Sequence, residues 1–230
     1  MAPGTGLRLL TGSSSHPASG PYGVLVVEHP VVAHRMGCLR DGETDNATFR
    51  TLVAELSGFI AYEALRDLRT AETRVDTPVA TDIACERVSE MVLLVPVLRA
   101  GLGMIPAIQE MLPLTEVAPV GLRRDEETLQ PEVYLDKLPP DLSGRRVIVC
   151  DPMLATGGSL VKVCDLVVER GASQIHALCL IASESGLAHF QQHHPHVRVA
   201  CAAVDPVLND QGYIVPGLGD AGGRLFGPPD

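Results

Sequence analysis

The sequence predicts an α/β fold in which a mostly parallel, twisted sheet is flanked by helices. Short, continuous apolar runs alternate with stretches whose apolar residues recur at three- and four-residue spacing. Continuous apolar runs are typical of strands buried on both faces, and helices between them provide the crossovers of a parallel sheet. Ligands of such sheets bind beyond the carboxyl ends of the strands. The strand candidates are residues 91–97, 117–120, 147–150, 175–181 and 197–204.

The first predicted element follows a segment rich in glycine, serine and proline. Residues 1–22 are predicted to form a flexible N-terminal extension or arm, and residues 23–230 a single domain that opens with the apolar run 23–27. The clearest helix is predicted over 46–68, where apolar spacing is helical and Asp45 or Asn46 can cap the first turn. Further helices are predicted at 104–111, 158–170 and 185–194.

The composition restricts the class of protein. The chain has 230 residues, of which 46% are hydrophobic and 20% charged, as expected for a folded globular protein. Its formal net charge of −10 argues against a nucleic acid as the main partner, because phosphates would be repelled. There is no apolar stretch of the ~20 residues that a membrane span needs, and the N-terminus does not resemble a secretory signal. Six scattered cysteines without a CxxC pair favour reduced thiols and a cytoplasmic location.

The segment 145–160 carries the main phosphate-binding signal. It reads RRVIVCDPMLATGGSL, which is a predicted strand, then Asp151, a short loop, and Thr-Gly-Gly-Ser at the start of a helix. Glycine N–H groups, the hydroxyls of Thr156 and Ser159, and the positive end of the helix together predict a cradle for a phosphate monoester. A bare TGGS would also suit an ordinary turn with an N-cap, but the preceding strand and acid favour the phosphate site. The P-loop pattern GxxxxGK[ST] does not occur.

Two further loops contain candidate arginines. Arg99 follows the predicted strand 91–97 in a tight loop of small residues, and its guanidinium fork suits a diphosphate. Taken alone, it would more often be a solvated loop residue. Arg124 lies in the charged segment 121–131, which lacks apolar periodicity and is predicted to be an exposed loop.

The tail 209–227 is rich in glycine and reads NDQGYIVPGLGDAGGRLFG. Gly217, Gly219 and Gly222 match GxGxxG by letter, but no segment long enough for the helix of a dinucleotide site follows. The tail is better interpreted as a rigid loop with few bulky side chains. Such a loop brings backbone N–H and C=O groups close to a small planar ligand.

Together these motifs resemble the uracil phosphoribosyltransferases, which are type I phosphoribosyltransferases. The resemblance extends from about Glu28 to Gly227 and is most specific in the tail. It implies the type I fold with a small base-binding hood. It also implies pyrimidine salvage, in which uracil and 5-phosphoribosyl-1-diphosphate (PRPP) give UMP and diphosphate. Arg123 stands where an aromatic residue or His is common, and Asp125 where Asn is frequent.

The resemblance implies roles for individual residues. Arg99, Arg124, Asp151 and Asp220 are expected to be catalytic. PRPP is expected to bind to Arg99, Arg124, Asp151, Pro152, Met153, Leu154, Ala155, Thr156, Gly157, Gly158, Ser159 and Asp220. Uracil is expected to contact Ile214, Gly219, Asp220 and Ala221. Mg²⁺ is the expected cofactor, held mainly by PRPP and water rather than by a cage of side chains. GTP is a candidate effector, and a homodimer or larger homo-oligomer is expected.

Two other functions remain open from the sequence. A regulatory protein on the same fold could bind UMP and control RNA, but it would need a basic face, whereas this chain is acidic. A phosphoribosyltransferase for a purine or xanthine is the other alternative, and the tail argues against it.

Overall fold

The computed structural model describes residues 23–124 and 131–227. The predicted extension at 1–22 lies outside the described residues. The strands are β1 (Val24–Val26), β2 (Thr70–Thr77), β3 (Ala80–Val88), β4 (Val92–Leu98), β5 (Glu116–Val117), β6 (Val120–Arg124), β7 (Pro131–Asp136), β8 (Arg146–Cys150), β9 (Met153–Leu154), β10 (Gln174–Leu178), β11 (Ile181–Ser183), β12 (Arg198–Cys201), β13 (Ala203–Asp205), β14 (Val207–Leu208) and β15 (Ile214–Val215). The helices are α1 (Pro30–Arg40), α2 (Asn46–Ala64), α3 (Ile105–Met111), α4 (Gly158–Glu169), α5 (Glu184–His193) and α6 (Ala221–Phe226), with a 3-10 turn at Ala100–Met104.

The central sheet confirms the predicted α/β class. Its strand order is β1-β12-β10-β8-β4-β6-β7, and β5 also pairs with β4. Neighbouring strands are parallel except for the antiparallel pair β6–β7. The continuous apolar sequence of β8 follows from this position, because β8 lies in the middle of the sheet and is covered on both faces.

Each face of the sheet packs against its own apolar core. Ile148 and Cys150 point toward α1, α2, α3 and α6, whose buried residues include Phe49 and Leu56. The alternate residues of β8, Val147 and Val149, pack with residues of α4 and α5 on the other face. Of the two predicted cap candidates, Asp45 caps α2, accepting bonds from the N–H groups of Ala47 (2.8 Å) and Thr48 (3.0 Å).

Some predicted boundaries are wrong. The predicted strands 175–181 and 197–204 each divide in two, because their distal parts leave the central sheet and form a separate sheet in the order β13-β11-β9. The predicted strand 117–120 is likewise split between β5 and β6, and the helix predicted to reach residue 68 ends at Ala64. A continuous apolar run does not reveal where a strand exchanges one pairing partner for another.

The sequence interpretation also missed whole elements, among them helix α1 and the hairpin β2–β3. Helix α1 begins at Pro30, with the His29 ring accepting the N–H of Val31 at 3.1 Å, and buries a narrow stripe of Val32, Met36 and Leu39. The hairpin β2–β3 is largely exposed, so its sequence lacks the apolar alternation of a half-buried strand.

Two of the composition arguments can be compared with the described residues. None of their helices is both long enough and apolar enough to cross a membrane. Their cysteines are free, and Cys150, Cys164, Cys179 and Cys201 are buried, as expected for reduced thiols in apolar runs.

A buried histidine makes stability depend on pH. His176 of β10 is 4% exposed, and burial, followed by the nearby Arg146, lowers its pKa from 6.5 to about 4. The folded protein therefore keeps this imidazole neutral, whereas the unfolded chain takes up a proton below pH 6.5. The stability contributed by the neutral ring is present above pH 6.5 and is lost as the pH falls toward 4.

We expect the His176→Asn variant to lose this part of the pH dependence. Urea unfolding of the native protein at pH 7 and pH 4.5 should show a decrease of up to about 3 kcal/mol from this group. His34→Asn, on the exposed face of α1, is the matched control. An equal decrease in His176→Asn and in the native protein would contradict the assignment.

Candidate active site

The loops predicted to carry the site meet at the carboxyl edge of the sheet. Pro96 of β4 pairs with Cys150 of β8, so the segments that lead to Arg99 and Asp151 leave the sheet side by side. On the other side of β4, Leu98 pairs with Gly121, which places β6 at the same edge. The register of three parallel strands thus brings together loops that are far apart in sequence.

The loop before α4 exposes backbone donors. Gly157 is the N-cap of α4 with φ of 84°, and it provides no side-chain hydrogen bond to the first turn. A Cβ at this position would lie 2.9 Å from the carbonyl oxygen of Gly186, so glycine is required both by the backbone angle and by the space. The first N–H groups of a helix lack intrahelical partners and favour an anion.

A cavity of about 100 Å³ lies against this loop. Besides the loop, it is lined by Gly212, which lies in the turn between β14 and β15. The predicted phosphate loop (residues 151–159) and the glycine-rich tail therefore contribute to one cavity. The residues that line it are Asp151, Met153, Leu154, Ala155, Thr156, Gly157, Ser159, Leu160 and Gly212.

Asp151 presents a partly buried carboxylate to this cavity. Burial raises its pKa to about 7, although the N–H of Met153, 3.4 Å from Oδ1, acts in the opposite direction. Such a group is near its midpoint of ionisation at neutral pH. Donors that approach it, such as sugar hydroxyls or a cation, would favour the ionised form.

The tail forms the hairpin β14–β15, a loop and the short helix α6. Of the residues predicted to contact a base, Ile214 and Ala221 are buried, whereas Gly219 is exposed. Asp220 is also exposed and caps α6, accepting the N–H of Gly222 at 3.0 Å. With only six residues, α6 is too short to be the helix of a dinucleotide motif.

The two candidate arginines lie at the ends of neighbouring strands, Arg99 just after β4 and Arg124 as the last residue of β6. The Arg99 side chain is exposed, with Nη2 3.5 Å from the carbonyl oxygen of Gly227 beyond α6. The backbone of Arg124 ends β6 and pairs with Pro131, while Asp125 lies outside the described residues. Arg123 forms an ion pair with Glu132 across the hairpin at 2.8 Å.

Two residues that hold these loops were missed by the sequence interpretation. Ser183 donates to the carbonyl oxygen of Ala155 at 2.6 Å and accepts the N–H of Gly186 at 2.8 Å, which ties the phosphate loop to the start of α5. The position of this serine before the helix predicted at 185–194 was a usable N-cap signal.

Arg224 was the second omission. It donates to the carbonyl oxygens of Leu39 at 2.8 Å and Leu218 at 2.9 Å, and its guanidinium lies 4.2 Å from the centre of the Phe49 ring. It thereby joins the tail to α1 and α2. No local pattern in the sequence indicates these distant partners.

A larger cavity of about 240 Å³ lies away from these loops, at the opposite edge of the sheet. Its charged groups are already paired, with Arg198 2.5 Å from Asp67 and Arg66 2.6 Å from Glu63. The smaller cavity has the backbone N–H donors at the start of α4 and the carboxylate of Asp151, which is in no ion pair among the described residues. The smaller cavity is therefore the candidate active site despite its size.

The parallel sheet with a glycine phosphate loop at its carboxyl edge, facing a hood built by the tail, defines the phosphoribosyltransferase class. The family described as uracil phosphoribosyltransferase matches residues 26–228. The chain belongs to this family.

Individual relatives support the same assignment. A uracil phosphoribosyltransferase of Symbiobacterium thermophilum is 48% identical over 205 residues, covering 89% of this chain and 98% of the relative. One from Kineococcus radiotolerans is 49% identical over 205 residues, covering 88% of this chain and 97% of the relative. A solved structure from Aquifex aeolicus is 33% identical and superposes with a TM-score of 0.84, covering 89% of this chain and 98% of that one.

We expect Gly157→Ala to weaken phosphate binding by more than the strain at positive φ alone would cause. The new Cβ would combine strain at positive φ with a 2.9 Å contact to Gly186. Gly144→Ala is the matched control, because Gly144 also has positive φ (73°) but has nothing within 4 Å of a Cβ. Calorimetric titration with inorganic phosphate should show weaker binding only for Gly157→Ala. Equal losses in both variants would contradict this account.

Proposed function

We propose that this chain is a uracil phosphoribosyltransferase, a pentosyltransferase that converts uracil and PRPP to UMP and diphosphate in pyrimidine salvage. The observation that supports this most directly is the shared cavity. Gly212 of the tail lines the same space as Asp151, Thr156, Gly157 and Ser159. A sugar phosphate in that loop would therefore lie beside the segment that the family uses for the base.

The phosphate loop is proposed to anchor the part of PRPP that does not react. Backbone N–H groups of Gly157 and Gly158 and the hydroxyls of Thr156 and Ser159 would bind the 5′-phosphate. Met153, Leu154 and Ala155 line the cavity. Asp151 would accept hydrogen bonds from the ribose hydroxyls. These contacts would orient the anomeric carbon, and they would remain the same throughout the reaction because the 5′-phosphate does not react.

Arg99 and Arg124 are proposed to bind the diphosphate. As a ring nitrogen of uracil displaces diphosphate, positive charge develops on the sugar and negative charge grows on the leaving group. A guanidinium that is already positioned stabilises that charge without reorganisation. Asp220, exposed at the start of α6, would face PRPP.

The residues present are compatible with Mg²⁺. The ion prefers oxygen ligands and usually keeps several waters and substrate phosphates. From the residues that the structure describes, the carboxylate of Asp151 receives only a long backbone hydrogen bond of 3.4 Å, which leaves oxygen lone pairs available. When bound, Mg²⁺ would offset charge on the diphosphate. PRPP and water would hold the ion for the most part, and Asp220 would meet PRPP or the water shell of the metal.

The base is proposed to bind to the tail. The proposed contacts lie in the segment from β15 to the start of α6, at Ile214, Gly219, Asp220 and Ala221. Backbone groups of this segment can match the alternating donors and acceptors of uracil. Within this segment Ile214 and Ala221 are buried, whereas Gly219 is exposed to solvent.

The remaining expectations concern assembly and location. The exposed hairpin β2–β3 carries Val79 at 94% exposure together with Ile83 and Val88, and such a surface supports a homodimer or larger homo-oligomer. Activation by GTP and a cytoplasmic location complete the proposal as expectations from the family.

Product analysis tests the proposed function. Uracil, PRPP and Mg²⁺ should yield UMP, whereas cytosine, xanthine and hypoxanthine should yield far less nucleotide. Preferential use of a purine would replace uracil by another base. Tight RNA binding at low salt without turnover would favour the regulatory alternative.

We expect Arg99→Ala to lower kcat by about 10²–10³, because a charge-stabilising donor is lost from the transition state. The KM for uracil should change little. Arg145→Ala is the matched control, since Arg145 pairs with Glu116 at 2.6 Å, beside the start of β8 and away from the site. Near-normal kcat in Arg99→Ala would remove this residue from the scheme.

We expect kcat/KM for PRPP to fall below pH 7 because of Asp151. Its pKa is about 7 in the free protein, and ribose hydroxyls bind the ionised carboxylate better than the protonated acid. Activity should therefore be retained above pH 7 and be lost as the pH falls. The Asp151→Asn variant should be less active but should lack this titration. An unchanged pH profile in the variant would contradict the role.

A further inference from the structure

An ion pair between a buried carboxylate and a partly exposed arginine lies behind the loop proposed to bind the base. Asp205, at the end of β13, is 4% exposed, and Arg40 is the last residue of α1. The two nitrogens Nη1 and Nη2 of Arg40 each lie 2.7 Å from a different carboxylate oxygen of Asp205. This two-point contact fixes the orientation of both groups.

The same pair binds both backbone groups of one residue in the loop. Asp205 accepts the N–H of Gly217 at 2.9 Å, and Arg40 donates to the carbonyl oxygen of Gly217 at 2.8 Å. Gly217 lies between Ile214 and Gly219, two residues expected to contact uracil. A Cβ on Gly217 would lie 2.0 Å from the carbonyl oxygen of Ile214, so the two backbone segments are in close contact.

A buried charge pair is tolerated only when its remaining hydrogen-bonding groups are satisfied. Here the loop backbone supplies two of the required partners. Burial raises the pKa of Asp205, but the bonds from Arg40 and Gly217 outweigh it and hold the pKa below the usual value. The carboxylate is therefore ionised at neutral pH, and the loop and the ion pair stabilise each other.

We propose that the Arg40–Asp205 pair is a positioning unit that sets the geometry of the uracil-binding loop through Gly217. The inference rests on the proposed function and extends it to two residues outside the expected site. Both act on the base indirectly, since their contacts are to Gly217. The pair should thus affect recognition of uracil without affecting the phosphate loop.

Steady-state kinetics with Arg40→Lys and Asp205→Asn test this role. Lysine keeps the positive charge but cannot make the two-point contact together with the bond to Gly217. Asparagine keeps the shape but loses the charge. The KM for uracil should rise by about 10- to 100-fold, as expected for the loss of a charge-assisted hydrogen bond. The KM for PRPP and kcat at saturating substrates should stay within about twofold.

Arg35→Lys is the matched control. Arg35 lies on the same helix and pairs with Glu55 at 2.9 Å, away from Gly217. Hydrogen exchange measured by mass spectrometry gives a second readout that needs no turnover. Exchange in residues 213–219 should accelerate in Arg40→Lys and in Asp205→Asn but not in Arg35→Lys.

The outcomes separate the inference from the function on which it rests. An active native protein whose two variants keep a normal KM for uracil, or raise both KM values equally, would overturn the positioning role alone. Unchanged exchange in residues 213–219 would overturn it as well. A native protein that forms no UMP would overturn the proposed function and this inference together.

Discussion

The alignment of β4 and β8 at one edge of the sheet is the constraint on which the site depends. Pro96 and Cys150 are paired neighbours, and the segments carrying Arg99 and Asp151 begin just beyond them. Alternate residues of β8 fill two different cores, so a shift by one residue would exchange the faces of Ile148 and Val149. Packing on both faces therefore fixes the position of the loops that carry Arg99 and Asp151.

The two halves of the site are built in different ways. The phosphate half depends on a strand, a glycine at positive φ and the start of α4, all within one continuous segment. The proposed base half is a loop held by the Arg40–Asp205 pair and by Arg224 of α6, which also bonds to α1. Under the proposed function, the phosphate would thus be bound by geometry that is local in sequence, whereas the base would depend on tertiary contacts.

This difference explains how much could be predicted from the sequence. The strand at 147–150, the loop and α4 follow from local patterns, and the structure confirms them. The contacts of Arg40 with residues 205 and 217 join positions 165 and 177 residues apart, which no periodicity encodes. Helix α1 was missed because its apolar stripe is narrow, and the ends of two strands because their pairing partners change.

A crystal structure with UMP bound would test the central claim most directly. The account predicts the 5′-phosphate within about 3 Å of the N–H groups of Gly157 and Gly158, with the uracil ring against Ile214 and Gly219 of the same molecule. A nucleotide whose phosphate and base occupy other surfaces, or lie in the larger cavity beside His176, would contradict it.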